Sequence, residues 1–164
     1  MQIDPVVLLA EELRSTEAAL RSAMRRYERD HAPASGEKVN LLLQTVKSIY
    51  AHFTDTVPTS SLGASELLRI VAQRLPFSLA PQIARMNEIA DRLESGRREQ
   101  SDLIWLRAMR TALKGGQGGQ EGIKAAPLVG LALAGACRPV VIFRALQEPP
   151  EDELAGLLRP GRLH

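Results

Sequence analysis

The sequence predicts an all-α protein, an antiparallel helical bundle. Three observations carry that expectation. Apolar residues recur at 3-4 spacing over most of the first 114 positions. No stretch there alternates apolar and polar residues as a half-buried strand would. Proline, glycine and small capping residues punctuate the chain where helices would begin and end. The core has to come from Leu, Val, Ile and Ala, because aromatic residues make up only 4% of the 164 positions. A chain of this length buries a core without disulfides or structural metals.

The first helix should start at Asp4-Pro5, where a carboxylate can cap free backbone N–H groups and proline suits the first helical position. Val6, Leu9, Leu13, Thr16, Leu20, Ala23 and Tyr27 form its near-heptad stripe, which fades near Asp30. His31 to Gly36 reads as a loop, with Pro33 barring continuation of the helix. A second helix comes next, from about Glu37 to Thr54, with Val39, Leu42, Leu43, Val46, Ile49, Tyr50 and Phe53 on its apolar face. The short connection makes the two an antiparallel hairpin. Leu13 and Leu42 should be buried on its shared face. Ser60 or Ser61 should cap a short third helix of about Leu62 to Leu75, stopped by Pro76.

A long helix is expected from about Leu79 to Leu113, running through Gly96, with the hairpin packed on it. An interior glycine costs about 1 kcal/mol against alanine, which packing can absorb. Five of the nine residues Lys114–Gly122 are glycine, a composition that predicts a flexible linker. The expected organisation is therefore a bundle over 1–114, a Gly-rich linker over 115–122, an apolar segment docked as a helix over 123–146, and a disordered tail over 147–164.

Chemistry is mostly excluded. Lys and Arg total 21 against 19 acidic residues, a formal charge of +2, so no positive excess drives nucleic-acid binding. His31, His52 and His164 have no ligand spacing, and one cysteine, Cys137, supports no metal site. Cys137 is expected to be a buried, inert thiol. Glu88 with Arg92, and Glu94 with Arg98, read as solvated i,i+4 pairs. No catalytic motif is present. The expectation is a non-enzyme with no catalytic, cofactor or metal residues. The short helix, the Pro76-Phe77-Ser78 turn and the helix after it superficially suggest helix-turn-helix. Proline there takes the place of the usual turn glycine, and Ile83 is one residue out of register.

Residues 125–143 are apolar apart from Arg138 and near the minimum length for a membrane span. Arg138, Pro127 and Pro139 argue against a span and for docking on the bundle or on another copy. The N-terminus lacks the basic start and unbroken apolar run of a secretory signal, which favours the cytoplasm.

Pro58-Thr59-Ser60-Ser61-Leu62-Gly63-Ala64, together with Gly96-Arg97-Arg98 followed by Asp102-Leu103-Ile104-Trp105-Leu106-Arg107, resembles segments of small uncharacterised bacterial all-helical proteins. The resemblance spans about the first 114 residues. It implies a helical fold and transfers no functional residue, since the group has no assigned activity. The functional expectation is binding of a protein partner, or self-association, with Arg97, Arg98 and Trp105 as contact candidates. A membrane-associated or DNA-associated regulator is the alternative.

Overall fold

A computed structural model describes residues 3–116 and 119–136. The described residues form α-helices and one short 3-10 turn: α1 (Pro5–Asp30), α2 (Pro33–Asp55), α3 (Ser61–Arg74), the turn Phe77–Leu79, α4 (Ala80–Glu94), α5 (Gln100–Lys114) and α6 (Gly119–Ala136). The protein is all-α. The expected apolar segment falls partly on α6; its residues 137–146, the tail 147–164, Cys137 and Arg138 lie outside the described residues.

α1 and α2 pack along each other as the antiparallel hairpin. Their connection is tighter than the sequence suggests. His31 caps α1 in the left-handed region at φ 47°, and α2 begins at Pro33 rather than near Glu37. Pro33 opens the second helix instead of only ending the first, because its missing N–H falls where the helix has no acceptor for it. The Asp30 carboxylate accepts from the Ala32 N–H at 3.0 Å and the Ser35 hydroxyl at 2.9 Å, joining the two helix ends.

The long helix expected from Leu79 to Leu113 is two helices. α4 stops at Glu94, and Gly96 takes φ +73°. The Gly96 N–H donates to the Leu93 carbonyl at 3.0 Å and the Arg97 N–H to the Arg92 carbonyl at 2.8 Å. This crossed pair is a Schellman motif, which uses the last carbonyls of α4 and turns the chain. Gly96 thus ends α4 through its tolerance of the left-handed region; it is not a helical residue tolerated at a penalty.

The centre of the bundle is α6, against which α3 and α5 pack, with a smaller contact from α2. The hairpin meets α3 through α1 and this core through α2, in place of the expected packing on a long helix. Eleven of the twelve residues Ala125–Ala136 are buried; Pro127 alone is exposed, so its missing hydrogen bond falls on the wet side. Small residues allow the close approach: a Cβ on Gly135 would overlap the Pro58 ring. The expected linker is correspondingly shorter, since α6 begins at Gly119 and Gly122 is buried.

Phe53, Leu67, Leu68, Met86, Ile89, Leu106, Leu113 and Leu133 are the largest fully buried side chains. Leu13 joins this core, whereas Leu42 is half-buried and Leu43 is exposed, which corrects the expectation that Leu42 would be buried like Leu13. The reason is length: Leu42 lies well along the hairpin, beyond the helices that cover its base.

Candidate interaction surface

The three sequence candidates occupy different settings. Arg97 and Arg98 are exposed at the α4–α5 corner. The Arg97 backbone closes the Schellman motif. The Arg98 guanidinium donates to the Ser61 hydroxyl at 2.7 and 3.2 Å, tying the corner to the start of α3. Trp105 is half-buried on α5 and packs against the core. Glu94 does not pair with Arg98. It binds Arg69 of α3, which also meets Asp91 at 2.8 Å.

Two buried carboxylates are only partly visible in the sequence, or not at all. Asp102, in the first turn of α5, is 3% exposed. It accepts from Arg85 at 2.9 Å and from Arg92 at 2.7 and 2.6 Å, while Glu88 bridges the same two arginines. Asp102 first, and Glu88 second, hold the Arg92 guanidinium more firmly protonated than usual. Glu88 and Arg92 therefore belong to a network that locks α4 onto α5 across the Gly96 corner. Arg85 and Arg92 are both engaged in it. The available signal was an acidic residue opening a helix just after two arginines spaced seven apart.

Asp4 caps α1 as the sequence predicts: its Oδ1 accepts from the Val6 N–H at 2.9 Å. Its other oxygen accepts from the Thr59 N–H at 2.7 Å, the Thr59 hydroxyl at 3.1 Å and the Ser60 hydroxyl at 2.7 Å. Ser60 in turn caps α3 through the Gly63 N–H at 3.0 Å. One carboxylate therefore joins two helix starts. A Cβ on Gly63 would overlap it. Burial pushes the Asp4 carboxyl up, but the hydrogen bonds from Ser60, Val6 and Thr59 together outweigh burial and leave it below its usual range.

These carboxylates are fully engaged in holding helices together. Among the described residues no group of three or more His, Cys, Asp or Glu converges as a metal site, and no helix is long and apolar enough to cross a membrane.

The longest stretch of the described residues with little burial is the outer half of the hairpin. From Arg14 to Ser48 only Ala23 is buried. Yet the apolar spacing of α1 and α2 runs on to Tyr27 and Val39. Met24, Tyr27, Leu41 and Leu43 are 44, 41, 63 and 40% exposed. At the base of this region the Tyr50 hydroxyl meets Glu17 at 3.3 Å, and the Arg74 guanidinium, at the end of α3, lies 4.2 Å from the centre of the Tyr50 ring. Burial and the Glu17 charge both push the Tyr50 phenol up. α3 thus covers one side of the hairpin as far as Glu17 and Tyr50 and stops there. The spacing of the stripes was legible in the sequence; that no third helix among the described residues covers their outer half was not.

Compared with models of protein families, with curated proteins and with solved structures, the chain matches none.

Proposed function

We propose that this is a non-enzymatic interaction protein whose working surface is the projecting half of the α1–α2 hairpin. The observation that supports this is the mismatch between pattern and packing. Both helices keep a core-like apolar spacing where the described bundle no longer covers them, leaving Tyr27 and Leu43 of the stripes exposed, with Met24 beside them. Isolated apolar residues on a surface need no explanation, but Met24 and Tyr27 lie one turn apart on α1, and exposed apolar residues grouped on one face of an element mark a contact site; Leu41, two residues from Leu43, points to the other side of α2. Helix-in-helix packing is the recognition such a strip serves. The polar clusters at the base are occupied in joining helices, which is consistent with a binding role rather than catalysis.

The test is site-specific photo-cross-linking in cells that express the full chain. A photoreactive residue at Met24 or Leu43 should give discrete protein adducts, and one at exposed Asp91 on α4 should not. Equal labelling at all three positions, or none at the hairpin, would remove the reading.

A further inference from the structure

We infer that the outer hairpin is the docking site for a second copy of this chain, packed antiparallel so that two hairpins form a four-helix bundle. The inference rests on the interaction reading above and names the partner.

The face is defined by heptad steps. Residues seven apart in a helix share a face with only slight drift. Glu17 and Tyr50 mark where α3 ends, and one heptad toward the tip from each lie Met24 and Leu43. These two flank the seam of the hairpin on the side that α3 occupies lower down. A partner helix pair laid there continues the layer that α3 begins.

Length fits a copy of the same hairpin. From Glu17 to Asp30 is fourteen residues, an axial rise of about 20 Å at about 1.5 Å per step. Consider a two-fold axis crossing the strip at the level of Met24 and Leu43. It lays each α1 antiparallel to the partner's α1, and each α2 antiparallel to the partner's α2. The partner's tip then arrives near the level of Glu17, beside the end of α3. Phe77, three residues beyond Arg74 and 89% exposed, stands at that end of α3. All neighbouring helices in the four-helix layer run antiparallel, the arrangement of an up-down bundle.

Charge fits it independently. Arg21, Met24 and Glu28 lie at i, i+3 and i+7 on α1, hence on one face. The same two-fold brings Arg21 opposite Glu28 of the partner subunit, and Glu28 opposite the partner's Arg21. On α2, Asn40, Leu43 and Lys47 have the same spacing, so Lys47 meets the partner's Asn40. Arg25, next to Met24 on the same rim, comes beside its own copy, so the two Arg21–Glu28 contacts are set against one like pair, and Arg21 keeps its own-helix neighbour Glu17 at 3.9 Å. A parallel arrangement would instead set Arg21 level with its own copy.

The experiment is sedimentation equilibrium of the full chain over micromolar concentrations, with circular dichroism confirming unchanged helicity of each variant. The wild type should dimerise. Arg21→Glu alone and Glu28→Arg alone should each weaken the dimer about tenfold, since each turns two attractive contacts repulsive. The double variant should return to within about threefold of the wild type, the signature of direct pairing. Met24→Asp with Leu43→Asp should abolish the dimer. A chain that stays monomeric throughout, or a dimer indifferent to these changes, overturns the proposal. If the chain is monomeric and cross-linkers at Met24 and Leu43 still capture protein in cells, self-association alone fails and the interaction reading stands. If those cross-linkers also capture nothing, both fail.

Discussion

The base and the tip of the hairpin are built from the same kind of sequence and have opposite fates. At the base, Val6, Ala10 and Leu13 of α1 and Ile49 and Phe53 of α2 are buried by α3, α6 and each other. Toward the tip, Leu20, Val39, Leu42 and Val46 are half-buried, while Met24, Tyr27 and Leu43 are exposed. Hydrophobic spacing therefore reports that a helix face wants cover. It does not report whether the same chain supplies it.

The comparison is broken most directly at its most buried point. Phe53→Ala should cost about 3–5 kcal/mol in a urea titration, because the removed ring leaves a cavity in a core the helices cannot fully close. Leu13→Ala should come next at about 2–5 kcal/mol, whereas Leu42→Ala, half-buried on the same hairpin, should lose only about 1 kcal/mol. Equal losses for the two leucines would mean that the tip is as well packed as the base.

Asp4→Ala should cost about 1–3 kcal/mol, since it frees N–H groups at two helix starts. The carboxyl is held below its ordinary value, so the unfolded chain binds its proton more readily than the folded one. Its contribution is present above the unfolded pKa, near 3.8, and is lost as pH falls through the lower folded value. Asp4→Asn should accordingly narrow its stability gap from the wild type as the pH drops below about 4. A gap that stays constant from about pH 7 to about pH 2.5 would show that the cap contributes nothing through its charge. The smallest effect belongs to the tip: Met24→Ala should shift the stability of the monomer by less than about 0.5 kcal/mol. A larger loss at low protein concentration would reveal cover for Met24 within the chain itself.

Much of the fold was legible. The capped start at Asp4, the hairpin, the Ser60 cap and the stop at Pro76 come from local chemistry that acts within a few residues. What was not legible depended on distance. Gly96 can be an interior helical residue or a left-handed cap, and a residue six positions further on decides: Asp102 opens α5 where Arg85 and Arg92 of α4 can meet it. Gly119 and Gly122 read as linker because glycine count signals freedom, yet the buried surfaces of α3 and α5 draw that stretch into α6. Arg97, Arg98 and Trp105 stand out by residue type, whereas the hairpin surface is set by what leaves Met24 and Leu43 uncovered.

The central position of α6 also sets an order of events in the cell. α6 is the last of these helices to be synthesised, and the residues it covers belong to helices made before it. At about 5–20 residues per second, the twenty-two residues from Lys114 to Ala136 take roughly 1–4 s to add. Until that stretch has been made and has left the ribosome, α3 lacks the cover that α6 will later supply, and its apolar face is open to chaperones or to a neighbouring nascent chain. A ribosome stalled after Lys114 would leave the helices already emerged without that cover. Release of α6 closes the core, so the last of the described helices to be made acts as the timer that ends the exposure of the faces it covers.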